Sequence, residues 1–412
     1  MASENLNAEY CLSYNQLFSE STDQFLRSFE HIEIDEISKG LELNFEIRER
    51  LGNRKVSPVL KFAEPRDAKK LVKIYKDLYD GTYPYKEMED EREVRKMIED
   101  PAVQWVVFKT PSNKIAGCVT FVLDFKNKKG YIRGFMLKKK YQGSIDIVKA
   151  MIGSMIVMCG KFKSRIYIWH VENRTAHAKS QHSMNLCGIA PIAFFPNKDM
   201  FLNKVESDLM QIVYDRKVLT RYRRKDCPKL IPEVLECFFY ADKRYNLGRF
   251  RSCSPDLNLD PALLVKIKKN LTVRVVVDKF GYQEVTFTVK NSDSYFKFIY
   301  TPRIQNFEKT RYKVKTLEEL FAFAQEFKKY GRKCNIRYCE AFVSAYEPEH
   351  QKIFYDIGLS PRGYIPSWKY DKESGAFEDC IAFNWFDGTI SSSIDLISEG
   401  WELLQVLNLI PN

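Results

Sequence analysis

Two stretches of this chain carry the same punctuation, and that repetition narrows the available folds more than any bulk property does. Aligned without gaps, the sixteen residues Gln181-His-Ser-Met-Asn-Leu-Cys-Gly-Ile-Ala-Pro-Ile-Ala-Phe-Phe-Pro196 and Gln351-Lys-Ile-Phe-Tyr-Asp-Ile-Gly-Leu-Ser-Pro-Arg-Gly-Tyr-Ile-Pro366 share Gln, Gly, Pro and Pro. Ordinary residue usage would supply about one such identity by chance. Each stretch follows a strand signal, and twelve or thirteen residues after its last proline Asp208 or Asp379 opens another strand. Gly188 and Gly358 fit the left-handed stop of a helix that turns into a strand. Two related α/β halves explain the pattern. Independent use of the same helix–glycine–strand chemistry is the alternative.

The chain has 412 residues, 45% apolar and 29% charged, enough to build cores in two or three domains and to exclude wholesale disorder. Its 65 Lys and Arg against 54 Asp and Glu give a net charge of +11. The excess is uneven: residues 1–58 hold 11 acidic and 6 basic side chains, a net of −5, which leaves +16 on the remainder. An anionic partner for the main body follows, whether a phosphorylated cofactor, an acidic protein or RNA. The first residues lack the basic-then-apolar pattern of a secretory signal. The longest apolar stretch, Ala150 to Cys159, is about half the ~20 residues a bilayer span needs, so no membrane partner is expected. Ten scattered cysteines without a CxxC pair read as reduced thiols in a cytoplasmic protein, and the five histidines do not join them at metal-ligand spacing.

Composition and periodicity divide the chain into an acidic accessory segment (1–58), an α/β domain (59–216), a basic connector (217–258) and a second domain (259–412). The first domain alternates strand 59–63, helices 67–79 and 91–99, strands 103–108, 115–125 and 131–137, an all-round apolar helix 145–160, strand 165–171, helix 178–187, and strands 190–195 and 207–214. In the connector, nine basic residues from Arg221 to Arg251 face four acids, which marks it as a possible RNA-binding stretch. In the second domain the signals give strands at 271–278, 283–290, 295–300, 335–345, 361–366 and 379–386, with helices at 316–330 and 348–357.

The order of elements in 59–214 resembles the GNAT superfamily of acyl-CoA N-acyltransferases. Three stretches carry the resemblance further. Leu137-Lys-Lys-Lys-Tyr-Gln-Gly143, at the end of the fourth strand, stands where the family has V-x-P-x-Y-[RQ]-G-x-G-x-[GA]. Asp80-Gly-Thr-Tyr-Pro-Tyr-Lys-Glu87 resembles the acceptor-bordering loop between the first two helices. Thr175-Ala-His-Ala-Lys-Ser-Gln181 with Gly188 resembles a pattern that follows the fifth strand in some members. The second half resembles only the C-terminal arm of that fold. The fold class implied is α/β (α+β): two GNAT-like domains, each a mixed, mostly antiparallel sheet flanked by helices, the second degenerate.

The resemblance implies an acetyl-CoA-dependent N-acetyltransferase acting on an amine-bearing acceptor, a small molecule or a protein lysine. Phe135, Met136 and Leu137 would polarise the thioester, and Lys139, Lys140, Gln142, Gly143 and Ser144 would hold the diphosphate. Such a strand-to-helix turn offers backbone N–H groups and a positive helix end to an anion. Ile145 and Ile147 replace the family's small residues there, and Asp146 sets negative charge in the helix's first turn. Asn173, His177, Ser180 and Gln181 would line the pantetheine arm. By alternation His170 and Glu172 share one strand face, as candidate base or water relay, with Glu87 a second base. Tyr83, Tyr85 and Glu87 would bind the acceptor, and with Asp90 they suggest a cationic one. The position that often supplies an acidic tyrosine is Met184 here and Phe354 in the second half. Two further readings stand beside the enzyme: a non-catalytic tandem module that binds RNA or protein through Arg221–Arg251, and an acyl or aminoacyl transferase acting with tRNA.

Overall fold

The structure is a computed structural model, and it describes residues 11–30, 37–52 and 55–411. The chain forms two units. The first comprises the described residues up to Asn173 with His177–Pro191 and Gln211–Val218; the second comprises Arg174–Ala176, Ile192–Met210 and the residues from Leu219 onward.

In chain order the elements of the first sheet and its helices are α1 (Thr22–Arg27), β1 (Val59–Phe62), α2 (Ala68–Tyr79), α3 (Glu91–Glu99), β2 (Val103–Lys109), β3 (Ile115–Asp124), β4 (Lys129–Leu137), α4 (Ile147–Lys161), β5 (Ile168–Arg174), α5 (Lys179–Asn185), β6 (Ala190–Phe201) and β7 (Lys204–Tyr214). The strands lie in the order β1-β2-β3-β4-β5-β7-β6. Strands β1 to β4 run antiparallel, and β4 pairs parallel with β5.

Every residue of α4 from Val148 to Cys159 is buried. A helix apolar on all sides needs cover on all sides. The sheet covers one side, and the segment before β1 supplies more: Leu17, Phe25, Phe29, Ile37, Leu41, Leu43, Phe45 and Ile47 join the same core. The described part of the stretch expected as accessory is therefore core. Glu20, Asp23, Glu30, Glu42, Glu46 and Glu49 stand among and after those eight.

The second unit contains α6 (Leu235–Tyr245), α7 (Pro261–Asn270), β8 (Leu271–Val277), β9 (Gln283–Val289), β10 (Tyr295–Thr301), β11 (Asn306–Lys313), α8 (Leu317–Cys334), β12 (Tyr338–Ser344), α9 (Pro348–Asp356), β13 (Ser360–Tyr370), β14 (Phe377–Phe386) and α10 (Ser398–Val406). Its strand order, β8-β9-β10-β11-β12-β14-β13, repeats that of the first sheet. The fold class is thus two mixed seven-stranded sheets flanked by helices, as the resemblance implied. The second sheet exceeds the C-terminal arm expected of it because β11 completes it. That strand hid in the sequence by burying polar groups, with Asn306 0%, Glu308 4% and Thr310 7% exposed. What the second half lacks is a helix pair between its first two strands; the turn Asp278–Tyr282 joins β8 directly to β9.

The repeated punctuation has one geometry in both halves. Gly188 and Gly358 take φ of +77° and +102°. The N–H after each reaches back over the helix end at the same 3.1 Å, Ile189 to the Met184 carbonyl and Leu359 to that of Phe354. These are the left-handed helix stops read from the sequence. Among the described residues no helix is long and apolar enough to cross a membrane.

Candidate functional site

The site starts from an interruption in strand pairing. β4 and β5 pair over four positions only, from Lys129–Ile168 to Ile132–Val171, and then part. Next to the parting, β4 carries a bulge: Cys118 faces Met136 but Thr120 faces Arg133, which leaves Gly134 and Phe135 against one residue of β3. Gly134 takes φ +62°. A Cβ there would lie 2.2 Å from the Tyr75 hydroxyl, so only glycine fits. The Lys138 N–H donates to the Ala116 carbonyl at 2.9 Å, toward β3. By alternation the Leu137 N–H points the other way, into the parting. An isolated glycine inside a strand pattern was the sequence signal for this bulge.

The two faces of the sheet divide the expected residues. Phe135 packs toward the α4 core and Phe108, with ring centroids 6.1 Å apart. Leu137 packs with Ala116 and Ile145. Met136, by alternation, faces the other side. That side also carries Trp105, Thr120, Arg133, Tyr131, His170 and Glu172, under α2 and α3. His170 stands opposite Tyr131 in the paired part of the strands, with the rings stacked at 5.0 Å. Glu172 is the first residue on this face beyond the last pair, at the mouth of the parting.

The loop after α2 is built of aromatic contacts. Tyr83 is buried between Tyr75 and Tyr79, at 4.9 and 4.7 Å, and touches Tyr85 at 5.9 Å. Burial holds the Tyr75 hydroxyl well above the ordinary phenol range. Lys86 closes the loop by donating to the Gly81 carbonyl at 2.6 Å and to Glu89 at 2.7 Å. Tyr85 and Glu87 are half-buried. Tyr83 therefore shapes this wall from behind, and Tyr85 and Glu87 are the members of the loop nearer solvent.

At the start of α4 the geometry differs from a bare helix end. Gly143, φ +84°, has open space around it, and Lys139, Lys140, Gln142 and Ser144 are exposed. The Gln142 and Ser144 amides, however, turn inward to the carbonyls of Lys139 (3.2 Å) and Tyr141 (3.1 Å). Ile145 is 3% exposed. Asp146 caps α4, its Oδ1 accepting from the amides of Val148 (3.1 Å) and Lys149 (3.2 Å). Arg50 donates to the other oxygen of Asp146 at 3.0 Å, and Val56 pairs across Ser144 and Asp146. Lys138 donates to the Ile115 carbonyl at 2.8 Å, and desolvation, then Lys140, lowers its pKa. The exposed cations at this turn are thus Lys139 and Lys140. Arg50 and Val56 came from a segment that sequence reading had set aside.

Further along, the Asn173 amide donates to Gln211 at 2.7 Å, and Gln211 in turn donates to the carbonyls of Gln181 (3.2 Å) and Ile189 (2.8 Å). Asn173, Gln181 and Gln211 are all buried. His177 is exposed and Ser180 half-buried; Ala178 rather than His177 stands at the cap of α5. Met184 is fully buried in the α4 core.

The second sheet repeats the parting and the bulge but fills them. β11 and β12 pair at only two positions, and the bulge falls at Lys309, φ +57°. Its N–H points to Glu340 at 3.4 Å, where Lys198 (2.9 Å) and the Tyr338 hydroxyl (2.8 Å) also meet. Lys198 and Glu340 are 3% and 6% exposed. Arg337 holds the carbonyls of Asn197, Lys198 and Ile304. Side chains of the second unit itself, Lys198, Glu340 and Tyr338, thus meet at the parting of β11 and β12.

The basic connector is partly consumed by its own unit. Arg223 grips the buried Asp379 with three hydrogen bonds of 2.6–3.0 Å. Arg224 pairs with Asp226 and Glu378. Arg221 to Asp226 line an open cavity of about 730 Å³ with Asp371 and Glu378. Among the described residues no group of His, Cys, Asp and Glu is arranged to hold a metal ion.

No family model and no curated protein matches the chain. Solved structures do. Spermidine N-acetyltransferase from Vibrio cholerae is 13% identical, with a TM-score of 0.33 over 40% of this chain and 97% of its own. The microcin C7 self-immunity acetyltransferase MccE, in complex with acetyl-CoA and AMP, is 16% identical, with a TM-score of 0.31 over 38% and 92%. A probable acetyltransferase is 14% identical, with a TM-score of 0.32 over 39% and 94%. Identities this low, over two fifths of the chain, say nothing about its activity.

Proposed function

We propose that the first unit is an N-acetyltransferase that moves the acetyl group of acetyl-CoA to a primary amine. The observation that carries this reading is the parting of β4 from β5 beside the Gly134 bulge, where among the described residues β5 no longer pairs with β4 at Leu137. A thioester seated there would have its carbonyl polarised by the Leu137 amide. Lys139, Lys140 and the Gly143 turn would hold the diphosphate. The acceptor would lie on the opposite face of β4 from α4, between Tyr85–Glu87 and Glu172, whose carboxylates suit a cationic amine. The ammonium first gives one proton to Glu172 or His170; the neutral nitrogen then attacks the carbonyl carbon, the C–N bond forms, the C–S bond breaks, and the second nitrogen proton leaves to solvent. The thiolate takes its proton from solvent or the exposed His177, since Met184 has none to give.

A non-catalytic module is the second reading, favoured by the closure of α4's first turn by Asp146, Arg50 and Val56. Calorimetric titration with acetyl-CoA separates the two. The enzyme reading expects micromolar binding, weakened about tenfold by Lys139→Ala with Lys140→Ala and by Gly143→Leu. The module reading expects no heat, and steep salt dependence for RNA. If acetyl-CoA binds, diamines and lysine peptides are the first acceptors to try.

A further inference from the structure

In the first unit, α2 and α3 stand between β1 and β2 and pack on the sheet, with Tyr75 against Trp105 and Arg133 against Met97. The second sheet has only a turn at that point, closed by Asp278, so β8 is left as a bare outer strand. It pairs with β9 in unbroken register from Leu271–Val289 to Val277–Gln283, and among the described residues no strand pairs with its other edge. Val273, Val275, Val276 and Val277 are 41–58% exposed. Edge strands are normally guarded by lysine, proline, a bulge or short length, because unpaired peptide groups beside apolar side chains recruit another strand. β8 has seven residues and none of the other guards; Arg274 is its single charge.

We infer that β8 is the pairing edge of a two-fold dimer of this chain. A strand meets its own copy antiparallel about a two-fold axis, and the residue on that axis faces itself. Centring on Arg274 would set two guanidinium groups opposite each other, which is unfavourable. Centring on Val275 pairs Val273 with Val277 of the copy and Arg274 with Val276. Val276 stands opposite Glu284 on β9, on the same face. Arg274 therefore looks across one valine of the copy to its Glu284, a span of two strand spacings, about 9.6 Å, that the two side chains together can bridge. Glu284 is 48% exposed and, among the described residues, pairs with Lys297 at 3.5 Å, so it can take a second cation. The same register lines up Val273, Val275 and Val277 of both copies on the other face. One strand edge is a small interface, so the dimer belongs in the micromolar range.

Sedimentation velocity on the full chain from 1 to 100 µM, as the trial range, tests this. Dimerisation is expected, with circular dichroism unchanged and dimer lost in Val275→Lys. Arg274→Glu should weaken the dimer about tenfold, and adding Glu284→Arg should restore it. Under oxidation Val275→Cys should cross-link to itself above the native background and Val273→Cys should not. A chain monomeric throughout, or a dimer that Val275→Lys and the charge exchange leave intact, overturns the proposal.

Discussion

Asp146 occupies the two amides, Val148 and Lys149, that a cofactor phosphate at α4 would otherwise use, and places a carboxylate beside them. Asp146→Ser keeps a capping oxygen while removing the charge. If the diphosphate lies at this turn, acetyl-CoA affinity should rise about fivefold, the worth of roughly 1 kcal/mol for a charge at a helix end. Calorimetry on the variant checks it, and unchanged affinity would place the phosphates elsewhere. At this scale the sequence was legible where chemistry is local. The Gly143 turn, the conflict raised by Asp146 and the stops at Gly188 and Gly358 all depend on residues within one turn of each other. Arg50 and Val56, about ninety residues from Asp146, gave no such signal. Nor did the pairing that takes up the Asn173 amide, since Gln211 meets it only after two strands have closed.

Helix α8 shows how an element stores pH dependence. Thr316 and Glu319 cap it reciprocally, and Glu319 also accepts from the Ser294 hydroxyl at 2.6 Å and the Lys315 amide at 2.9 Å. Burial opposes ionisation, yet the hydrogen bonds from Ser294 and Lys315 outweigh it and lower the pKa below the ordinary 4.5. A carboxyl group with a depressed folded pKa contributes stability that is present above its unfolded pKa and lost as pH falls through the folded one. Urea unfolding between pH 7 and pH 3 should therefore show a loss of stability below about 4.5 that Glu319→Gln reduces. The helix itself was legible at 316–330. Helices α2, α3 and α4 were equally visible from their periodicity. Strand β11 was not, because it buries Asn306, Glu308 and Thr310 beside Phe307 and a bulge at Lys309 breaks its alternation, so no apolar period reveals it.

The first unit depends on a segment whose described residues form only short elements. Eight of its apolar residues, from Leu17 to Ile47, complete the core around α4. At roughly 1.5–3 kcal/mol for each fully buried side chain, their gross burial of about 12–24 kcal/mol is at least as large as most of the 5–15 kcal/mol net that stabilises a typical domain. Deleting residues 1–47 should leave α4 uncovered. The expected outcome is a first unit without a cooperative thermal transition by calorimetry, and an independently folded product would refute it. The acidic surface of this stretch suggested an accessory arm, yet an all-round apolar α4 already required a cover from somewhere in the chain. By itself the sequence determined the paired helix stops at Gly188 and Gly358, the kinds and order of most elements, and the turn chemistry, because each rests on contacts between near neighbours. Only the tertiary structure decided that β4 and β5 part beside the Gly134 bulge and that Lys198 meets Glu340 at the corresponding parting of the second sheet. A buried charge becomes tolerable only when a partner is brought to it, and these two are 142 residues apart in the chain.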